Sequence, residues 1–99
     1  MAAYVLIDVE IHDIEPYMRF MRALAPLIAS AGARYLVRGG EFRVLEGDYQ
    51  PRRLVLIEFP SMQEAEAFYD SDAHRELKRQ REACADSRVV LVEGVQMSQ

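Results

Sequence analysis

Cysteine is almost missing from this chain. Its single cysteine, Cys84, excludes an internal disulfide, and a reducing, cytoplasmic location is the expectation that follows. No apolar run approaches the ~20 residues that span a bilayer, so no membrane partner is expected. The opening MAAYVLIDVEIHD carries no basic residue ahead of its apolar stretch, and Asp8 and Glu10 interrupt it. It reads as a strand and not as a signal peptide. Positive charge is in deficit: 12 Lys and Arg stand against 16 Asp and Glu, for a net charge of −4. A general nucleic-acid binder needs a basic stripe to displace counterions, so nucleic acid is not an expected partner. Two histidines and one distant cysteine fall short of the three or four convergent ligands of a metal site, and no metal is expected. Gly39-Gly40 lacks the longer glycine spacing and the following lysine of a phosphate loop. No Ser-His-Asp or Cys-His spacing is recognisable, and there is no repeat, low-complexity tract or linker.

What is present is a chain of 99 residues, half of them apolar, enough for one domain over residues 1–96 with a frayed tail at 97–99. Ala3 to Ile11 begins as a continuous apolar run and then alternates, which predicts a strand covered on both faces. Asp13 can cap a helix with Pro16 in its first turn. Tyr17, Phe20, Met21, Leu24, Leu27, Ile28 and Ala31 make its apolar stripe, and Gly32 is the expected stop. Pro26 inside that pattern should kink the helix without ending it. Arg34 to Leu45 is predicted as a second strand, with a bulge or sharp bend at Gly39-Gly40. Gly47 to Pro51 is a turn, and Arg53 to Phe59 is the third strand of a hairpin. Ser61 to Glu64 fits a capping box for a helix running to about Tyr69. Ser71-Asp72 offers a second cap for a charged helix from Ala73 to about Cys84, and Arg88 to Val95 is the last strand. The order β-α-β-β-α-β, with its second helical segment split, predicts an α+β ferredoxin-like fold: a four-stranded antiparallel sheet with the helices on one face.

The face with Val5, Ile7, Val9, Val55, Ile57 and Phe59 is apolar throughout and suits the helices. The other face should then show Tyr4, Leu6, Asp8, Glu10, Leu54, Leu56, Glu58, Leu91 and Glu93, half aliphatic and half acidic. A bare apolar patch of that size marks an interaction surface, so a homodimer through the sheet face is expected.

The segments YVLIDVEIHD, RYLVRGGEFRVLEGDYQPRRLVLIEFPS, AFYDSDAH and SRVVLVEGV together resemble the DUF1330 family, a domain of unknown function, over nearly the whole chain. The resemblance implies a ferredoxin-like domain that pairs through its sheets, as in the dimeric α/β-barrel superfamily. That superfamily includes cofactor-independent oxygenases, haem-degrading enzymes, and dehydratases or isomerases of small molecules, with pockets between sheet and helices. Its haem-degrading members use an asparagine on the first strand, a tryptophan and a helical histidine. Here Asp8 stands near the first position, tryptophan is absent, and only His74 answers the histidine. No cofactor is expected.

The candidate ligand-binding residues are Arg38, Gly39, Tyr17, Tyr35, Phe68 and Tyr69. Arg38 could grip a carboxylate or enolate with two hydrogen bonds where bare glycine backbone lets a ligand approach. It could equally pair with Glu41, Asp8 or Glu58 and tie the strand down. The tyrosines fit a helix–sheet core while their hydroxyls reach a cleft. Asp8, His12 and His74 are the candidate catalytic proton carriers. Asp8, Glu58 and Glu93 could gather at one end of the open face. The two functional readings are an enzyme or binder acting on a small anionic molecule, and a non-catalytic dimeric module.

Overall fold

The computed structural model describes residues 1–95; the expected frayed end lies outside them. Its elements are β1 (Ala3–Ile11), α1 (Ile14–Ser30), β2 (Arg34–Arg38), β3 (Leu54–Phe59), α2 (Met62–Tyr69), α3 (Asp72–Glu82) and β4 (Ala85–Glu93). The sheet is antiparallel in the order β2-β3-β1-β4, with the two long-range partners on either side of β1. This is the ferredoxin-like arrangement with a divided second helix.

Register explains which face is dry. Val5 lies opposite Ile57 and Leu91, Ile7 opposite Val55 and Val89, and Ala3 opposite Phe59. These side chains meet Tyr17, Phe20, Leu24 and Ile28 of α1, Ala65 of α2 and Leu77 of α3 in one core. Phe59 and Val9 are fully enclosed at its centre. Leu91 therefore belongs to the helix-covered side, not to the open face, and Glu93 shares its parity. The open face carries Tyr4, Leu6, Asp8, Leu54, Leu56 and Glu58 as expected, with Val92, Val90, Arg88 and Asp86 from β4. A strand apolar on both faces, as Val89-Val90-Leu91-Val92 is, gives no parity from composition alone; its partner sets it.

Helix ends follow their capping chemistry. Gly32, at φ 71°, closes α1: its N–H donates to the Ala29 carbonyl, and the Ala33 N–H reaches back to Ile28. That pair of bonds satisfies carbonyls the helix leaves open, in a left-handed turn that suits glycine. The helix continues through Pro26. Asp13 occupies the N-cap position, but its side chain accepts no cap bond. The entry is held instead by the backbone, His12 and Asp13 N–H both donating to the Cys84 carbonyl. Ser61 accepts from the Glu64 N–H at 3.1 Å, as its spacing predicts.

The second strand is shorter than its sequence suggests. It ends at Arg38, because Gly39 turns away at φ 72° while β3 begins only at Leu54. Residues 41–45 alternate like a strand yet pair with no strand among the described residues. Residues 39–53 form a long arm on which Phe42, Val44, Leu45 and Tyr49 are exposed. The bulge falls earlier than the glycines, between Tyr35 and Val37.

Candidate functional site

That bulge positions the site. Tyr35 lies opposite Ile57, and Arg38 lies opposite Val55, both core-facing partners. In a regular strand residues 35 and 38 would point to opposite faces. One inserted residue brings both to the helix side, where the Arg38 guanidinium sits over the Tyr35 ring, 4.9 Å from its centroid. Arg53, two residues before the buried Val55, follows the same parity. Its guanidinium lies against Gly39, so closely that a Cβ there would fall 2.0 Å from Nη1. Gly39 thus serves twice: it takes a left-handed turn and leaves room for a cation.

Arg38 and Arg53 border a groove of about 380 Å3 along α1, walled otherwise by Ile11, Ile14, Tyr17, Met18, Met21, Arg22 and Ala25. This volume falls in the ordinary range of small-molecule sites. Among the described residues no carboxylate lies within ion-pair distance of Arg22, Arg38 or Arg53. The acids proposed as partners of Arg38 are engaged elsewhere. Glu41 pairs with Arg43, Glu58 with Arg34 at 2.7 Å, and Asp8 with the Tyr49 hydroxyl and the Arg52 N–H. Arg53 Nε is buried and has no protein hydrogen-bond partner.

Tyr17 and Met21 separate this groove from an inner apolar cavity of about 30 Å3, room for little more than a water. Phe20, Tyr35, Phe59, Phe68, Tyr69, His74 and Arg81 are among its walls. The Tyr35 hydroxyl and Arg81 Nε are buried in it without protein partners. Burial raises Tyr17, and the charge of Arg53, a hydrogen bond from its guanidinium and then the charge of Arg81 oppose that rise. Burial likewise raises Tyr35 against the pull of Arg38 and Arg53.

His74 is buried, not on a solvated helix end as its charged neighbours suggest. Its ring lies between Phe68 and Tyr69, with centroids at 5.1 and 4.5 Å, and Nδ1 is 3.0 Å from the Tyr69 carbonyl. That carbonyl accepts from Nδ1–H, which leaves Nε2 as the lone-pair nitrogen. Burial first, then Arg81 and Lys78, hold His74 below its ordinary value. Ser71 fixes the entry of α3 by accepting from the His74 N–H and donating to the Phe68 carbonyl.

The remaining candidates lie apart from these. Asp8 is on the open face, lowered by its Tyr49 bond, in a polar hollow with Glu10, Arg52, Asp86 and Arg88. His12 is exposed, its Nε2 2.8 Å from Asp86, which raises it. Glu10, His12 and Asp86 bring possible metal-ligand atoms within 4.8 Å of one another. His12 is paired with Asp86, and Glu10 with Arg52 at 3.8 Å. Asp8, Glu58 and Glu93 do not gather. Glu58 stands opposite Tyr4, four residues along β1 from Asp8, and Glu93 is on the other face.

Two residues of the site escape simple sequence reading. Arg81 is buried at the spacing His74, Leu77, Arg81, a helical stripe hidden in the charged run DAHRELKRQRE. Arg53 carries the parity of Val55 and Ile57, one step ahead of the apolar run.

Solved structures of similar shape share the fold. The RPA0582 protein of unknown function from Rhodopseudomonas palustris is 19% identical, with a TM-score of 0.76 over 96% of this chain and 83% of its own. A dimeric ferredoxin-like protein of unknown function from Jannaschia sp. CCS1 is also 19% identical, with a TM-score of 0.64 over 95% of this chain and 100% of its own. SnoaB, a cofactor-independent oxygenase from Streptomyces nogalater, is 13% identical, with a TM-score of 0.57 over 98% and 95%. No curated protein matches the chain. The model of the domain of unknown function DUF1330 matches residues 2–95, nearly the full sequence, and the chain belongs to that family.

Proposed function

We propose that the protein binds a small anionic molecule in the groove between α1 and the sheet, with Arg38 and Arg53 as its anchors. The observation that carries this is a set of cations without counter-charges, one of them with its Nε buried and unpartnered. An unsatisfied buried donor costs about 1–3 kcal/mol, and more when charged, against a total stability of roughly 5–15 kcal/mol. A bound oxyanion supplies the counter-charge that the guanidinium groups at the groove lack; a purely structural arginine would be cheaper with a carboxylate beside it. Buried neutral His74, in the adjoining cavity, supplies a proton acceptor if the ligand is also turned over, in chemistry that needs no cofactor. Asp8 and His12 lie outside this proton path.

The test is an NMR titration of the arginine Nε–H signals with formate, sulfate and phosphate. Saturable shifts at Arg38 and Arg53, abolished by Arg38→Ala with the melting temperature unchanged, support the reading. No response to any oxyanion overturns it.

The second reading, a dimeric module, is favoured by a different observation: exposed Leu6, Val90 and Val92 on the open face. The two readings are compatible, since the groove and the open face lie on opposite sides of the sheet. A homodimer through that face, in the cytoplasm where a lone thiol stays reduced, completes the proposal.

A further inference from the structure

Resting on that anion site, we infer that its ligand is a monocarboxylate with an apolar body, bound with its head between Arg38 and Arg53 and its body along α1. The groove has two unlike halves. One holds guanidinium groups. The other is Ile11, Ile14, Met18, Met21 and Ala25, and among its lining residues there is no lysine, serine or threonine. Arg38 and Arg53 border the groove from the sheet side and Arg22 from α1, and a pair of guanidinium groups fits the two oxygens of a carboxylate; the apolar wall is what favours an anion that carries a body over an inorganic one. Ile14 and Met18 are 56% and 48% exposed, so this wall is apolar surface left open to water, and covering it favours an apolar ligand body.

The inner cavity extends the argument. Tyr17 and Met21 belong to both spaces, and methionine is the side chain that re-packs most readily. A ligand tail that displaces Met21 meets the rings of Phe20 and Phe68 and the unpartnered Tyr35 hydroxyl. The head stays at the mouth because carrying the charge inward would strip it of water.

The experiment is a calorimetric titration of the full chain with acetate, butyrate, hexanoate, benzoate and inorganic phosphate at constant ionic strength. Affinity should rise along the aliphatic series by up to about fourfold for each methylene that is buried. Benzoate should bind, and phosphate should bind at least tenfold more weakly than hexanoate. Met18→Glu, a change at an exposed position, should weaken hexanoate at least tenfold and leave the melting temperature within a few degrees. Met21→Ala should steepen the dependence on chain length. Phosphate binding as tightly as hexanoate, or a flat aliphatic series, overturns the carboxylate class while leaving the anion site standing. Hexanoate binding unaffected by both Met18→Glu and Arg53→Met overturns the groove as its location. Silence from every anion overturns this inference and the anion reading together.

Discussion

At the scale of single residues, Gly39 and His74 carry the sharpest consequences. Gly39 combines a left-handed backbone with contact to the Arg53 guanidinium. Alanine there costs about 1–2 kcal/mol from backbone alone, a loss of roughly 4–16 °C in melting temperature for a domain of this size. Gly40→Ala is the control, because a Cβ there meets nothing. Equal melting temperatures for the two variants would remove the argument for Gly39. His74 governs acid behaviour. Its folded value lies below the ordinary 6.5, so on acidification the unfolded chain takes up the proton first. Stability then falls as pH drops from 6.5 towards the lowered value. His12 runs the other way: Asp86 raises it, so its contribution is present below 6.5 and fades as pH rises through the raised value. His12 is exposed, so screening keeps its part small. Melting curves between pH 5 and 7.5 should show the acid slope, and His74→Gln should flatten it. An unchanged slope would mean that the imidazole is not held neutral.

At the scale of elements, legibility depended on whether a signal was local. The capping serines, the α1 stripe and the Gly32 stop are local, and the helices sit where those residues place them. Ser71→Ala should remove the bond from the His74 N–H and cost about 1 kcal/mol, read by denaturant unfolding. A null result would show that water replaces the serine. The strands were legible in number and pairing, and less so in extent and face. Phe42-Arg43-Val44-Leu45 alternates as well as any strand, but Gly39 directs it away from β3, and alternation without a partner is not a strand. Leu91 was misplaced because its strand is apolar on both sides. The candidate site was partly legible for the same reason. Tyr17, Tyr35, Phe68, Tyr69 and His74 come together in one cavity wall, and Arg38 at the adjoining groove. The bulge that turns Arg38 towards Tyr35 leaves no mark in composition; only pairing with β3 reveals it.

At the scale of the whole molecule, the shape is a slab of 44 × 38 × 17 Å with a radius of gyration of 14.0 Å. A chain of this length is ordinarily nearer 13 Å. The excess reflects one uncovered sheet face and the projecting arm, where Leu45 is 90% exposed. A second copy laid on the open face would thicken the slab and cover Leu6, 45% exposed, together with Val90 and Val92. If the proposed homodimer forms through this face, Leu6→Glu should convert it to a monomer in light scattering, from twice the chain mass to once, with the sheet intact by circular dichroism. A Leu6→Glu protein that keeps the mass of two chains would place the interface elsewhere.

The bond from the Gly94 N–H to the Ala2 carbonyl, 2.8 Å long, sets residues near the two ends of the chain side by side. One short linker from Gly94 to Ala2 would close the described backbone into a ring. Such a ring could be reopened in the exposed arm, between Glu46 and Gly47, without breaking any strand pairing. The permuted protein would keep α1, the sheet and the groove while its arm became two free ends. Comparing its association with that of the parent would separate what the arm does for pairing from what the sheet face does.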